Sequence, residues 1–247
     1  MTVRLGPKRS LYLLSPYWWI QRVVTKYIDT IGVPYAFGRL LDIGCGRKPY
    51  AEIFAPQISW YIGIDRDSKS EADVCADVAH LPFPTKTFDT VLSTQVLEHV
   101  ADPEAVVREA ARVLNAKGVL ILTVPHICRV HGAPFDYQRY TKFGVIKLLE
   151  SCNLEPVVIQ EMGGFWIMCA YMLTFYIAES LIPSLMRKGH LYSAIARALP
   201  LCYLPTYKIF ERLDSFHFDA DNTFNYIVVA RRTNNDCDWE RFQMQEM

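Results

Sequence analysis

The sequence has no surplus of charge of either sign: Lys and Arg total 26, Asp and Glu total 26, in 247 residues. It therefore lacks the basic excess that phosphate-backbone binding draws on, and nucleic acid is excluded as the expected partner. It also has no CxxC pair. Its seven cysteines, at positions 45, 75, 128, 152, 169, 202 and 237, are odd in number and scattered. That argues against a disulfide framework or zinc knuckle and for a reducing, cytoplasmic setting. There is no internal repeat and no low-complexity tract. The N-terminal stretch MTVRLGPKRSLYLLSPYWW is basic, but its apolar part is short and broken by Ser15 and Pro16, which makes a poor secretory signal. What is present, 51% hydrophobic and 21% charged residues in 28.4 kDa, suits a globular chain with a self-sufficient core.

From Arg39 onward, short apolar runs alternate with helix-length segments. The runs 40–43, 60–64, 88–92, 119–124, 154–160 and 224–230 read as strands. Asp102 caps a helix running to Asn115, with Val106, Val107, Ala110, Val113 and Leu114 as its apolar stripe and Gly118 just past its end. Thr141 precedes another helix, with Val145, Ile146, Leu148 and Leu149 inward. Strands separated by helices pair in parallel through right-handed crossovers. The expected fold is α/β: a Rossmann-like open, mostly parallel sheet with helices on both faces, an antiparallel last strand and a helical insertion before it. Residues 1–37 form an N-terminal helical cover, 38–161 the ligand-binding core, 162–222 an apolar helical insertion, and 223–247 the final strand and tail, within one domain overall.

In such a sheet the ligand sits at the carboxyl ends of the strands. The first strand-turn-helix reads LLDIGCGRKPY, residues 40–50. Gly44 and Gly46 let backbone approach a ligand, but Pro49 stands where a dinucleotide fingerprint needs a third glycine. Asp42, two residues before Gly44, would repel a pyrophosphate and attract an ammonium or sulfonium. Asp65, at the end of the second strand, is placed to accept both ribose hydroxyls. Asp77 could accept from an adenine amino group while the Val78 backbone contacts the ring. Three acids around one site suit a cationic nucleoside; the alternative is that Asp42 and Asp77 cap turns.

These residues resemble the class I S-adenosylmethionine-dependent methyltransferases, in particular the small-molecule group that includes the ubiquinone and menaquinone biosynthetic enzymes. The resemblance covers 38–161 and comprises, in order, LLDIGCG, GIDRD, ADVAHLPFPTKTFDTVLSTQVLEHVADPEAVVREAARVL and KGVLILTVP. It implies S-adenosylmethionine as cofactor, with Asp42, Gly44, Cys45 and Gly46 on the methionine moiety, Asp65 and Arg66 at the ribose, Asp77 and Val78 at the adenine, and Thr94 and Gln95 on the inner face. Arg47-Lys48-Pro49 departs from the small residue or glycine of many members.

Methyl transfer from a sulfonium needs mainly alignment and exclusion of water, with a general base for an alcohol or phenol. The candidate bases are His99, in LEHV, and His126, in VPH, because histidine titrates near neutrality; the alternative for His99 is a helix-packing or cofactor-rim role. In some quinone-pathway relatives the Glu-His pair resembles a metal site. Here no third acidic ligand is in view and no metal is assigned. The segment HGAPFDYQRYT, residues 131–141, resembles the P-x-D-Y-x-R-Y-T loop of the same group. That resemblance turns Tyr137, Arg139 and Tyr140 toward the acceptor, with Arg139 either binding an acidic group or bracing the loop through Asp136.

Between Glu161 and Glu179 lies a run of 17 uncharged residues. As a helix it would rise about 26 Å against about 30 Å of hydrocarbon. Residues 191–210 are interrupted by Arg197, Pro200 and Pro205, so no second span accompanies it. A membrane-surface contact, favoured by Lys8, Arg9, Trp18 and Trp19, a lid over an apolar acceptor, a self-association face and an ordinary core helix are the options. The expected function is methyl transfer to an O, N or C nucleophile of a small-molecule or lipid-linked acceptor by a cytoplasmic protein, peripheral at the membrane surface if the apolar run contacts lipid. The alternatives are a non-catalytic nucleoside-binding module and a nicotinamide-dependent oxidoreductase.

Overall fold

Leu40, Leu41, Asp42 and Ile43 are all buried. This continuous rather than alternating pattern belongs to a strand covered on both faces. In the computed structural model, which describes residues 15–188 and 198–233, these residues lie in β1 (Gly38–Ile43) at the middle of a seven-stranded sheet. The others are β2 (Ile58–Asp65), β3 (Val74–Cys75), β4 (Phe88–Thr94), β5 (Leu114–Pro125), β6 (Leu154–Glu161) and β7 (Asn225–Arg232), in the order β3-β2-β1-β4-β5-β7-β6. β1 pairs in parallel with β2 and β4, with Asp42 beside Gly63 and Leu92. The sheet is mostly parallel with one antiparallel strand, as the sequence pattern predicts.

The helices begin with α1 (Pro16–Tyr27) and the single turn α2 (Ala51–Phe54). In α3 (Pro103–Val113) the Asp102 carboxylate accepts from the Ala105 amide at 3.0 Å, and Val106, Val107, Ala110 and Val113 are buried. α3 passes directly into β5 at Leu114, so Gly118 lies inside that strand rather than beyond a helix end. The register shift between Phe88 and Thr90, which pair with Leu114 and Val119, absorbs the intervening residues. α4 (Lys142–Glu150) is capped by Thr141, whose hydroxyl accepts from Gly144 at 3.0 Å, and buries Val145 and Leu149. The apolar run forms α5 (Phe165–Tyr176), which continues through a π turn (Ile177–Leu181) into α6 (Ile182–Met186). α7 (Tyr203–Phe216) follows.

By density of contacts the chain divides into two compact units. Of the described residues, one comprises 29–125, 130–160 and 227–233 and carries most of the sheet. The other comprises 15–28, 126–129, 161–188 and 198–226. Its core is aromatic: Trp19, 2% exposed, stacks on Tyr207 at 4.9 Å between centroids and meets Tyr171 and Phe224 edge-on. Trp19 is therefore a core residue, not an outward anchor. α5 buries Ile167, Ala170, Tyr171, Thr174 and Phe175, one helical face, and packs against α7. Lys8, Arg9, Arg197 and Cys237 lie outside the described residues.

Candidate active site

The strand order reverses between β1 and β4, so the crevice a ligand would enter opens at their carboxyl ends. There the chain turns at Gly44 (φ +70°), and the amides of Gly44 and Cys45 both donate to the Ile64 carbonyl, at 2.8 and 3.1 Å. A side chain at Gly44 would collide with Val96. At Gly46 (φ +52°) the space is open, so glycine serves the backbone conformation alone. The Asp65 carboxylate ties the turn to the end of β2, accepting from the Gly46 amide through Oδ2 and the Asp67 amide through Oδ1, both at 2.9 Å. Lys48, part of the departing Arg47-Lys48-Pro49, closes the loop through an ion pair to Asp73 at 2.7 Å. Asp73 in turn accepts from the Gly63 amide.

Asp42 is 1% exposed. One of its oxygens accepts from the Tyr61 hydroxyl, and the other, Oδ1, has no hydrogen-bond partner. Burial pushes its pKa up to about 7, against the Tyr61 bond and with the repulsion of Asp65. The carboxylate that the sequence presents as a fixed negative charge is thus half-titrated at neutrality. The Tyr61 phenol is raised by burial and by Asp42. Burial, then Asp42 and Asp65, push the Cys45 thiol up to about 12, so it stays protonated and is no nucleophile. Asp77 sits in an exposed turn after β3, its Oδ1 accepting from Ala79 at 3.0 Å, with Val78 buried behind it. Thr94 ends β4. Gln95 (φ +55°) turns its side-chain amide toward β5, donating to the Thr123 hydroxyl at 3.1 Å.

Next along the chain, Glu98 has a fully buried carboxylate, neither oxygen of which has a hydrogen-bond partner. His99 Nε2 lies 3.9 Å and His131 Nε2 3.7 Å from its Oε1. His99 Nδ1 is 2.6 Å from the Phe135 carbonyl. That contact places a proton on Nδ1 and leaves Nε2 as the basic nitrogen. The Phe135 ring is covered by the Arg66 guanidinium at 5.0 Å, so one residue joins the predicted ribose edge to the histidine. A buried carboxylate without a donor is costly unless a proton or cation meets it. Glu98, His99 and His131 lie within 4.8 Å of one another by their ligand atoms, a donor set that also suits a divalent cation. They are the residues that would hold one, and it would act as a Lewis acid on an acceptor oxygen.

The loop residues divide differently from the expectation. Arg139 spends both terminal nitrogens on Asp136, at 2.6 and 2.8 Å, and one of them also on the Gln138 carbonyl. This is the bracing alternative. Arg139 first, and the His131 amide after it, hold the Asp136 carboxyl far below the usual range. Tyr140 is buried, its hydroxyl donating to Gln138 at 3.0 Å. Tyr137 is half exposed, its amide donating to the Glu98 carbonyl at 2.8 Å. The His126 ring packs on Tyr226, and its amide donates to the Phe224 carbonyl. Tyr61, Lys48, Asp73 and His131 also take part, without a role legible in the sequence. Their roles arise from strand register and loop closure, and only Glu98 carried a signal, through its place in LEHV.

Residues 41–122 match the family model described as a methyltransferase domain. Over that third of the chain the sequence is similar to a methyltransferase domain. A probable S-adenosylmethionine-dependent methyltransferase of Mycobacterium tuberculosis is 34% identical over 97 residues, 35% of each chain. The match thus spans about a third of that relative's length. The ubiquinone biosynthesis O-methyltransferase of Dinoroseobacter shibae is 26% identical over 189 residues, 62% of this chain and 76% of that one. Among solved structures, the [4+2]-cyclase SpnF is 18% identical with a TM-score of 0.56, over 86% of this chain and 81% of that one. At that identity the likeness is one of fold. The Mycobacterium tuberculosis relative is named for its dependence on S-adenosylmethionine, not on a nicotinamide. The residues present fit S-adenosylmethionine: Asp42, with an unpartnered buried carboxylate oxygen, and Gly46, with open space at its Cβ position, lie at the carboxyl end of β1.

Proposed function

We propose that this protein transfers a methyl group to a hydroxyl oxygen of a small or lipid-linked acceptor, with His99 as general base. The observation that carries the reading is the buried, donorless Glu98 carboxylate beside a histidine whose Nδ1 is already committed to a backbone carbonyl. Bound S-adenosylmethionine supplies an electrophilic methyl on a sulfonium. Asp42 and the Gly44–Gly46 turn bind and orient the amino-acid end, and Asp65 and Arg66 the ribose. His99 Nε2 removes the acceptor proton as the oxygen attacks. Glu98 then stabilises the imidazolium, a role a carboxylate performs best when shielded from water. His131, on the other side of the same carboxylate, holds the proton within the cluster. Similarity to a ubiquinone biosynthesis O-methyltransferase supports oxygen as the nucleophile. The scatter of the cysteines along the sequence, with no CxxC pair, supports a reducing cytoplasmic setting.

The test is incubation with isotopically labelled methyl donor and a panel of phenols, aliphatic alcohols, amines and a lipid extract, followed by mass spectrometry. Label on an oxygen, lost in His99→Ala, supports the reading. Label on nitrogen or carbon overturns it. Normal binding of S-adenosylhomocysteine with no labelled product from any acceptor favours a second reading, a nucleoside-binding module. The fold likeness to a cyclase supports that second reading, since one architecture serves several chemistries.

A further inference from the structure

α7 is apolar on two opposite sides. Tyr203, Tyr207 and Asp214 are buried, and Asp214 accepts from the amides of Gly164 and Trp166 at 2.9 and 3.2 Å, capping α5. On the other side Pro205, Ile209, Leu213 and Phe216 are exposed, Ile209 to 57% and Phe216 to 91%. At 100° per residue these four fall within an arc of about 80°, centred about 140° from the buried face. Leu201, in the 3-10 turn before α7, is also exposed, to 65%. Packing within the unit does not account for so large a set of exposed apolar side chains on one helix.

The charges of α7 are sorted around that stripe. Lys208 and Arg212 are exposed and border one edge of it, within about 60°. Both acids of the helix lie away from it: Asp214 is in the buried face, and Glu211 projects about 160° from the stripe's centre. We infer that α7 lies on an anionic lipid surface, its stripe in the headgroup boundary and Lys208 and Arg212 on the phosphates. An apolar face with a basic flank and no acid beside it is the composition of an interfacial helix. The longer helix from Phe165 to Met186 has the length and mean hydropathy, 1.6, of a membrane span. Yet Glu179 within it is ion-paired to Arg129, which also covers Phe175 at 4.8 Å, and accepts from the Tyr17 hydroxyl at 3.0 Å. Spanning would carry that pair into hydrocarbon, so the surface-lying helix is α7.

The experiment is co-sedimentation of the full chain with phosphatidylglycerol vesicles and with phosphatidylcholine vesicles, at low and high salt. The wild type should pellet with phosphatidylglycerol and be released by salt. Ile209→Ser with Phe216→Ser should lose binding to both. Lys208→Glu with Arg212→Glu should lower partitioning onto phosphatidylglycerol by more than about tenfold while sparing residual binding to phosphatidylcholine. Unchanged S-adenosylhomocysteine affinity in calorimetry certifies that each variant is folded. A wild type that stays in the supernatant overturns the inference, as does equal pelleting of all three proteins. A wild-type dimer in light scattering that Ile209→Ser with Phe216→Ser converts to monomer, without vesicle binding, also overturns it and assigns the stripe to a second copy of the chain.

Discussion

Asp42 is the residue whose chemistry differs most from its appearance in the sequence. Its pKa is raised from 3.8 to about 7, so between those values the folded chain keeps a proton that the unfolded chain releases. Stability therefore falls as pH rises through that window and stays lowered above it. Asp42→Asn, which still accepts from Tyr61, should raise the thermal midpoint of the ligand-free protein at pH about 8 and leave it nearly unchanged at pH about 4. Cofactor binding should run the other way. Wild-type affinity for S-adenosylmethionine should rise from pH about 6 to about 8 as Asp42 ionises, and Asp42→Asn should be weaker and flat. Titration calorimetry at the two values decides it. At the second centre, His99→Ala should lower turnover by about a hundredfold or more with S-adenosylhomocysteine affinity retained, and Glu98→Gln should follow it. A chelator should leave turnover intact if Glu98 serves an imidazolium, and abolish it if the cluster holds a cation.

Among the elements, the loop 130–140 and the Gly44 turn carry the sharpest expectations. Asp136 is held below the normal carboxylate range, so its contribution to stability is complete above that range and is lost as pH falls through its depressed value. Arg139→Ala strands that carboxylate and should cost about 1–3 kcal/mol in chemical denaturation, with Arg139→Lys recovering part of it. Gly44→Ala forces a methyl against Val96 at positive φ and should abolish S-adenosylhomocysteine binding. Interior strands were legible because each is a short, mostly apolar run, and α3 because Asp102 and its stripe agree. β3 was not: Val74–Cys75 is two residues long, half-buried and exposed in turn, and exists only because β2 offers an edge. Gly118 misled because a glycine after a helical stripe marks a helix end in most contexts, whereas here the chain enters β5 without a connecting turn.

For the whole molecule, the balance of charge was legible, while the outward or inward aim of the aromatic residues was not. Trp18 and Trp19 are neighbours in sequence, yet Trp19 is in a core that only the aromatic residues of distant segments create. The burial of the thiols offers a global check. Cys75 and Cys202 are exposed and should react first with an alkylating reagent, whereas Cys45 and Cys152, 3% and 4% exposed, should react only on unfolding. Mass spectrometry of timed samples reads the order.

Phe135 has its ring on Arg66 and its carbonyl on His99. A nucleoside that recruits Arg66 to its sugar hydroxyls must share that guanidinium with the phenyl ring, and any shift of the ring is transmitted to the imidazole. Arrival of the donor should therefore precede productive arrival of the acceptor. In steady-state kinetics S-adenosylhomocysteine should compete with the methyl donor alone, and Phe135→Ala should relax this compulsory order toward a random one.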